Sequence, residues 1–564
     1  MKYCSPLKLL PIATLVVAAY GPSAQAAQAA ANWVSTESHP VDVSRSVAGA
    51  MLKQGETLNI AVSLRVRNKA GLDAKTEDVI LGRSEPLTST EFLVQFAPSK
   101  AQVEAVVAHL KNSGFVNIQV ASNRLLISAD GTAGSTKKAF NVDLQHFNVN
   151  GREAHAAIND AAVPKELGDT VLAIQGLQNV HMAHSFKIRA DKVAENKVSG
   201  DKVSATAGIE VGHSPAEWPT IYNARNIPDA ANTTIGIITA GPLTQTFADL
   251  ATFVNNAGFV SPSTSTVSVG GGSASSSGPT EWDIDSQDAL GAAGGVVKSM
   301  IFYNAPSLSD VNLTAEYNAV VSANEAQIIN VSLGECETSA KSAGTESAQD
   351  QIFQIAAAQG QVFAVASGDS GSYECGGSKS YQSYPAVSPY VISVGGTSVY
   401  TTSAGAWASE TVWSCTSSRS CLSSGGTGGG VSATENAPRW QVTSGVLGTS
   451  TKRGVPDIAF AGNPNSGTIA IVNGANSQWG GTSLATPIFV GFWARIQSAH
   501  SNQLIYPARA IYKYGSAHKS TIFHDITSGS NGGYSAKPGW DYTTGFGSLN
   551  VGPFATFVAN NPGF

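Results

Sequence analysis

Three short runs of β-branched and apolar residues restrict the second half of this chain to a small set of architectures. They span residues 234–239, 328–333 and 362–366, and stretches compatible with helices lie between them. Strands that are apolar on both faces are typical of a parallel sheet covered by helices on both sides. From about residue 211 onward we therefore predict an α/β domain, a parallel sheet with helices on both faces.

Residues from about 30 to 185 predict a smaller α+β domain. Ser99 can cap a helix that ends at Gly114. The runs with strand or helix character are, in order, 92–96 (strand), 99–114 (helix), 116–120 and 125–127 (strands), 132–140 (helix) and a strand that begins at Val142. This β-α-β-β-α-β order is typical of a ferredoxin-like fold. Residues 187–208 are rich in Lys, Asp, Ala and Ser and predict an exposed linker.

The N-terminus predicts a signal peptide over residues 1–26. Lys2 and Lys8 give it a positive start, and an apolar run precedes small-residue cleavage sites. The run is too short to cross a bilayer, and no later run is long enough. A retained anchor is the alternative. We expect no membrane association and a secreted protein, which is either released to the medium or kept in a periplasm.

The cysteine count fits an oxidising compartment. Once Cys4 has left with the signal peptide, four of the 5 cysteines remain, and three pairings are open to them. Because Cys415 and Cys421 lie six residues apart in a Ser-rich loop, we pair them with each other and Cys336 with Cys375. Free thiols are the alternative. No CxxC spacing exists, so structural zinc is not expected.

The formal net charge of −6 is unevenly distributed. The first 210 residues carry 21 Lys and Arg against 19 Asp and Glu, whereas the remainder carries 13 against 21. An acidic region that is poor in Lys and Arg does not attract nucleic acid. We therefore expect no nucleic-acid partner.

One segment near the C-terminus has the character of a catalytic serine loop. It reads Gly480-Gly481-Thr482-Ser483-Leu484-Ala485-Thr486-Pro487. Small residues let a substrate backbone approach, and a helix that begins at the serine supplies positive potential. An ordinary Gly/Ser loop before a helix is the alternative interpretation of this segment taken alone.

The positions of the histidines exclude a histidine as the base that activates such a serine. No histidine lies between His213 and His500, although the order acid, histidine, serine needs one well inside that interval. The interval contains Glu281 and Asp285, which share one face of a predicted helix. Two carboxyls held together share a proton and can act as a base in acid. A negatively charged helix start is the alternative.

A third acidic residue, Asp369, follows the predicted strand 362–366. A side chain at the C-terminal end of such a strand faces the functional crevice of an α/β fold. A protonated Asp369 can donate a hydrogen bond to an oxyanion. A turn-forming role beside glycine is the alternative.

In chain order, these three segments resemble the sedolisin family, the serine-carboxyl peptidases, and especially its bacterial pseudomonalisin type. The resemblance covers nearly the whole chain after the signal peptide, including Ser214-Pro215-Ala216 near the expected mature start. It implies a subtilisin-like fold behind a pro-domain. The implied division is a signal peptide (1–26), a ferredoxin-like inhibitory pro-domain (27–186), a linker with the maturation cleavage (187–210) and a catalytic domain (211–564).

The resemblance implies an endopeptidase that cuts protein and peptide substrates through an acyl-enzyme on Ser483. Glu281 is the implied general base, Asp285 orients it and shares its proton, and Asp369 is the implied oxyanion donor. Because Asp369 donates only while protonated, we expect activity in acid and failure at neutral pH. The segment that resembles the substrate-pairing strand is Ser332-Leu333-Gly334.

The resemblance also implies one Ca²⁺ near the C-terminus, where hard oxygen ligands are available. The implied ligands are the side chains of Asp525 and Asp541 and the backbone oxygens of Ile526, Lys537 and Gly539. Lys537 stands where the family often has Gly, and His524 is expected to be a packing neighbour. A Gly-rich loop with two solvated aspartates is the alternative.

We expect the pro-domain to block the cleft of a monomeric enzyme, and the precursor to cut itself in acid between about residues 190 and 212. Two other functions stay open at this stage. One is a subtilisin-like protease active at neutral pH, which the histidine gap disfavours. The other is a catalytically inactive secreted binding protein on the same fold, which the intact polar residues disfavour.

Overall fold

A computed structural model describes residues 1, 32–190, 208–271, 278–504 and 506–561. The predicted signal peptide therefore lies outside the described residues, apart from Met1, and so does most of the predicted linker. Within the described residues, no helix combines the length and apolar character needed to cross a membrane.

The N-terminal domain is built on a four-stranded antiparallel sheet. Its spatial order is Val116–Val120, Leu126–Thr132, Thr57–Leu64, Val171–Gln175. Helices Lys100–Ser113 and Ala133–Phe140 connect the strands. The predicted caps are present, since Ser99 and Gln102 form a capping box and Gly114 closes the helix in the left-handed conformation. The ferredoxin-like prediction is confirmed, because the order of the strands along the sheet is that of the split βαβ motif.

One of the predicted strands is wrong, and another is present but belongs to a different sheet. Residues 92–96 fall mostly in the helix Ser89–Gln95, which Thr88 and Glu91 start with a capping box. The run that begins at Val142 leads into Leu144–Val149, which belongs to a separate three-stranded sheet. The first and last strands of the motif in chain order are Thr57–Leu64 and Val171–Gln175 instead. A local capping signal outweighed β-propensity at 92–96, where Phe92 is buried and Val94 is exposed.

The C-terminal domain contains an eight-stranded sheet. Seven strands follow one another as Thr264–Ser268, Val297–Ala305, Ala230–Ala240, Ile328–Val331, Val362–Ala366, Ile392–Thr401 and Trp407–Val412, and Ile458–Ala461 also pairs with Ile392–Thr401. Every pairing is parallel except that of Trp407–Val412. The predicted α/β architecture is confirmed: its central strands are almost entirely buried, whereas the edge strand Thr264–Ser268 is mostly exposed.

Helices flank this sheet and form most of the remaining core. The longer ones are Thr244–Ala257, Pro279–Ala292, Asp310–Ala323, Thr345–Ala358, Thr482–Ala499, Pro507–His518 and Val551–Asn560. Pro279–Ala292, here called the carboxylate helix, packs against Thr482–Ala499, here called the serine helix. Both helices are buried nearly all round, and the carboxylate helix is buried although it carries the acidic residues Glu281, Asp283, Asp285 and Asp288.

Shorter elements complete the chain. Helices occur at Lys69–Ile80, Trp218–Ile221, Glu337–Ala343, Ser418–Ser424 and Arg439–Thr443, and strands at Trp33–Ser35, Val47–Met51, Arg152–Ala157, Ala162–Pro164, His184–Ser185, Ile188–Arg189, Leu333–Cys336, Ser383–Tyr384, Gly430–Asn436, Lys452–Val455, Thr468–Val472, Ala475–Gly480, Phe523–His524 and Ser548–Leu549. The disulfides join Cys336 to Cys375 and Cys415 to Cys421, so both predicted pairings are confirmed.

The N-terminal domain sits directly on the C-terminal one. Helix Lys69–Ile80 packs on Thr345–Ala358. The Gln351 amide bonds to the backbone of Val66 and Leu64, at 3.0 and 2.9 Å. These neutral contacts hold the smaller domain together with the ion pair between Glu77 of that helix and Arg439 of the C-terminal domain.

Candidate active site

The carboxylate helix places two acidic side chains in the interior. Glu281 lies in its first turn, where the helix dipole favours a negative charge, and Asp285 lies one turn later on the same face. Both side chains are fully buried. The predicted pairing of these two carboxyls is therefore compatible with the helix geometry.

Two more polar residues, Ser332 and Asp369, lie at the carboxyl ends of neighbouring parallel strands. Ser332 follows Ile328–Val331, and Asp369 follows Val362–Ala366 after two intervening residues. The two strands are hydrogen-bonded neighbours, so their carboxyl ends lie side by side. The predicted run 328–333 is interrupted at Ser332, which lies between the strands Ile328–Val331 and Leu333–Cys336.

Ser483 is the second residue of the serine helix, as the motif predicted. Gly481, at φ +113°, precedes it, and a Cβ there would lie 2.1 Å from the carbonyl oxygen of Phe186 and 2.7 Å from Oδ2 of Asp369. Only glycine fits this crowded, left-handed position. Pro487 lacks the N–H that would bond to the Ser483 carbonyl within the helix. That carbonyl instead lies 3.4 Å from the Ser332 hydroxyl.

Ser332 connects the serine to the carboxyl pair. Its hydroxyl donates to Oδ1 of Asp285 at 2.6 Å, and its carbonyl accepts from the Ser483 hydroxyl at 3.3 Å. The Asn330 side chain donates to the Ser332 hydroxyl at 3.0 Å. Sequence reasoning assigned Ser332 to substrate pairing and missed its contact with Asp285, which depends on the break in the strand.

The two carboxyls of the carboxylate helix are unequal acids. Burial, and next the charge of Glu281, raise the pKa of Asp285 well above its usual value. Burial also raises the pKa of Glu281, but Lys187 and the hydroxyls of Ser483 and Ser185 oppose that increase. Asp285 is thus the member that keeps a proton, and Glu281 is the one that ionises first.

Asp369 has two differently used oxygens. Its Oδ1 accepts hydrogen bonds from the backbone N–H and the hydroxyl of Thr482, at 2.7 and 2.9 Å. Its Oδ2 has no hydrogen-bond partner among the described residues. Burial raises the pKa of Asp369 to about 8, although the two bonds from Thr482 oppose it. In acid this carboxyl therefore presents an O–H donor beside Ser483.

A short piece of the N-terminal domain passes through the site. His184–Ser185 pairs antiparallel with Leu333–Cys336, and Ile188–Arg189 pairs antiparallel with Ala475–Gly480. The predicted substrate-pairing residues Leu333 and Gly334 lie opposite Ser185 and His184 respectively. The two predicted strand residues thus form an edge that pairs with an extended chain.

Lys187, which the sequence placed in an exposed linker, lies inside this cleft. Its Nζ is 3.5 Å from Oε2 of Glu281 and 2.8 Å from the Ser185 hydroxyl. The local composition carries no signal for this contact. Only the path of the chain between the two domains brings the amine to the carboxylate.

The residues implied for calcium come together in two C-terminal loops. Asp525 accepts from the Gly539 N–H at 3.0 Å, and Oδ2 of Asp541 accepts from the Lys537 N–H at 3.0 Å. Among the described residues, no hydrogen bond reaches the carbonyl oxygens of Ile526, Lys537 or Gly539. Two carboxylates beside free carbonyls form a donor set that fits a hard cation.

His524 is a packing neighbour, as predicted. Its ring stacks on that of Trp407 with 3.9 Å between the centroids. The described residues contain no cluster of three or more His, Cys, Asp or Glu side chains suited to a metal ion. Any cation held here would therefore depend on backbone oxygens.

Comparison with known proteins matches this architecture along the whole chain. Residues 44–180 match the family described as the pro-kumamolisin activation domain, and residues 264–547 match the subtilase family. Sedolisin of Pseudomonas sp. (strain 101) is 44% identical over 98% of this chain and 96% of its own length. Xanthomonalisin of Xanthomonas sp. (strain T-22) is 41% identical over 98% of this chain and 71% of its own length.

A solved structure agrees with the sequence comparison. Pseudomonas sedolisin, a serine-carboxyl proteinase complexed with two molecules of pseudo-iodotyrostatin, is 46% identical and superimposes with a TM-score of 0.60. The match covers 63% of this chain and 100% of that one. With an activation domain, a subtilisin-like domain and relatives of this identity, the chain belongs to the sedolisin family and is a serine-type endopeptidase.

Proposed function

We propose that this protein is an acid-active serine-carboxyl endopeptidase, made as a self-processing zymogen. Ser483 is the nucleophile, Glu281 the general base, Asp285 its proton-sharing partner and Asp369 the oxyanion donor. The activation domain precedes the catalytic domain in the same chain, which supports an intramolecular inhibitor.

The observation that carries this proposal is the position of the carbonyl oxygen of Phe186. It accepts a hydrogen bond from the backbone N–H of Ser483 at 3.0 Å. The same oxygen and Oδ2 of Asp369 both border the space where a Cβ of Gly481 would lie. A peptide carbonyl beside the serine amide and a protonated carboxyl is the geometry that oxyanion stabilisation needs.

The proton transfers follow from the unequal acidities. Glu281 takes the proton of the Ser483 hydroxyl as the oxygen attacks the peptide carbonyl, and Asp285, held by Ser332, keeps its own proton nearby. The negative charge that forms on the carbonyl oxygen is met by the Ser483 N–H and the Asp369 O–H. Glu281 then returns the proton to the leaving amine, and water hydrolyses the acyl-enzyme by the reverse sequence.

Calcium has a structural part in this proposal. Asp525, Asp541 and the carbonyls of Ile526, Lys537 and Gly539 would hold one Ca²⁺, which neutralises two carboxylates and ties the two loops together. Among the described residues, the hydrogen bonds of the Asp525 and Asp541 carboxylates go to residues 537–544 and not to Ser483, so we expect calcium to act on stability.

Export, cleavage in the linker and a monomeric state complete the proposal. The predicted signal peptide and the two disulfides support an oxidising location outside the cytoplasm. The linker between the domains supports a maturation cleavage, which we expect in the interval from about 190 to 212.

The test is hydrolysis of acid-denatured casein from about pH 3 to about pH 8, with Ser483→Ala as the control. We expect activity at the acidic end only, and none in the control. A maximum near neutrality would contradict the carboxyl-based mechanism. A correctly folded protein with no activity at any pH would favour the binding-protein alternative.

A further inference from the structure

The segment from His184 to Arg189 lies in the cleft as an extended chain. Its first part pairs with Leu333–Cys336 on one side of Ser483, and its last part pairs with Ala475–Gly480 on the other. Such two-sided strand pairing aligns a peptide backbone across a nucleophile. The residues at the crossing point are Phe186 and Lys187.

The backbone of Phe186 is held at both of its polar groups. Its N–H donates to the Ser332 carbonyl at 3.3 Å, and its carbonyl accepts from the Ser483 N–H at 3.0 Å. The carbonyl group therefore lies where an oxyanion would be stabilised. The next bond along the chain, from the Phe186 carbonyl carbon to the Lys187 nitrogen, is the one presented to the Ser483 hydroxyl.

The side chains of Phe186 and Lys187, on either side of this bond, both contact the cleft. The Phe186 ring is 2% exposed, and it lies against the backbone of Gly334, where a Cβ would come within 2.7 Å of the ring. The His184 ring meets it edge to face at 4.9 Å. On the leaving side, the Lys187 amine contacts Glu281 at 3.5 Å. These contacts fix which peptide bond faces the serine.

We propose that Phe186–Lys187 is the first bond that this precursor cuts, in its own active site. The inference rests on the proposed function and names the bond, which lies just upstream of the expected maturation interval. Later trimming of the linker would then give the mature N-terminus.

The reaction balances with water as the only added reactant. The Ser483 oxygen bonds to the Phe186 carbonyl carbon while Glu281 accepts the hydroxyl proton. The bond to the Lys187 nitrogen breaks, and that nitrogen leaves as an amine with the proton from Glu281. Water then hydrolyses the ester, which regenerates Ser483 and leaves a carboxyl group on Phe186.

The experiment follows the purified full-length precursor after it is brought from about pH 7 to about pH 4. Intact mass and N-terminal sequencing of quenched samples identify the earliest fragments. We expect one fragment that ends at Phe186 and one that begins at Lys187, formed at a rate independent of protein concentration. Ser483→Ala should give neither.

Two substitutions sharpen this test. Phe186→Ala empties the pocket beside Gly334, and we expect it to slow the first cut at least about 10-fold, because the buried ring no longer holds the bond in place. Lys197→Ala, a matched change in the downstream linker, should leave the rate unchanged. If Phe186→Ala fails to fold, the fragment map of the unaltered precursor still decides the question.

The possible outcomes separate the inference from the proposed function. If the earliest cut lies within 191–212 and the Phe186–Lys187 bond stays intact while the product digests casein, the bond assignment is wrong and the function stands. A first cut whose rate rises with protein concentration also overturns it, because cleavage is then between molecules. A folded precursor that neither cuts itself nor digests casein in acid removes the proposed function as well.

Discussion

The hydroxyl of Ser332 donates a 2.6 Å hydrogen bond to Oδ1 of Asp285. Both groups are buried, and the bond lowers the pKa of Asp285 against the larger effect of burial. Ser332 thereby adjusts how the carboxyl pair holds its proton. In the proposed mechanism Ser332 is a positioning residue that acts on Glu281 through Asp285.

Replacement of Ser332 by Ala should change the pH dependence of catalysis. Without the donor, the pKa of the carboxyl pair rises, and Glu281 stays protonated to a higher pH. We expect the acidic limb of the kcat profile to move upward and kcat to fall by up to about 10-fold, because a hydrogen bond between uncharged groups is worth about 0.5–1.5 kcal/mol. Ser367→Ala is the matched control, since its buried hydroxyl bonds to the Gly428 carbonyl at 2.9 Å instead. Identical profiles for both variants would contradict the role of Ser332.

Substitutions of Asp369 test the oxyanion donor. Asp369→Ala removes the donor, and we expect kcat to fall by about 10²–10³. Asp369→Asn keeps the acceptor for Thr482 and places an amide N–H where Oδ2 lies. Because this amide does not titrate, the ratio of activity at neutral pH to activity in acid should rise above that of the parent enzyme. Initial rates on one peptide at several pH values measure that ratio.

The parent enzyme should lose activity as the pH rises through the pKa of Asp369. That pKa is about 8 while the cleft is covered. Departure of the segment 184–189 lets water reach the carboxyl, which brings its pKa down toward the usual value. We therefore expect the alkaline limb of the mature enzyme below about pH 8. A limb in Asp369→Asn at the same pH as in the parent would assign it to another group.

Buried carboxyls should make the fold itself more stable in acid. Burial raises the pKa of Asp283 to about 8 and of Asp288 to about 7. A carboxyl with a higher pKa in the folded state binds more protons when folded, so its stabilisation is complete below about pH 4 and is lost as the pH rises through the folded value. One pKa unit corresponds to about 1.4 kcal/mol. We expect the free energy of unfolding to fall by several kcal/mol between about pH 4 and about pH 8.

Chemical denaturation of the Ser483→Ala precursor, which cannot digest itself, measures this change. Asp288→Asn is a useful comparison, since the amide keeps an acceptor for the Trp218 indole and the Thr468 hydroxyl, 2.6 and 2.9 Å away. Its stability should depend less steeply on pH. A free energy of unfolding that increases toward neutrality would contradict the prediction.

Removal of calcium should lower the melting temperature. A ligand at about 100 times its Kd stabilises the folded state by about 2.7 kcal/mol, which corresponds to a melting temperature higher by roughly 3–4 °C in a domain as large as residues 211–564. A chelator should therefore lower the melting temperature of the Ser483→Ala protein by that amount. Asp525→Asn, which weakens one carboxylate ligand, should reduce the effect of the chelator. An unchanged melting temperature after chelation would count against the site.

Residues close together in the chain could be predicted well. The i, i+4 spacing placed Glu281 and Asp285 on one helix face, Ser99 and Gly114 marked the ends of a helix, and Ser483 opens the helix that its motif predicted. In each case the deciding interaction is a backbone hydrogen bond or a contact within one turn. Such interactions depend on neighbours that are visible in the sequence.

Contacts between distant residues were decided by the tertiary structure alone. The strands Thr57–Leu64 and Val171–Gln175 pair in one sheet, although more than a hundred residues separate them, which no local pattern indicates. The same holds for Ser332, whose bond to Asp285 needs a strand break at the edge of the cleft. Phe186 and Lys187 follow the folded N-terminal domain and precede a segment with the composition of a linker. They contact Ser483 and Glu281 because the two domains pack together and the chain between them pairs with the strands Leu333–Cys336 and Ala475–Gly480. No local sequence pattern indicates this packing, since it depends on residues that are far apart in the chain.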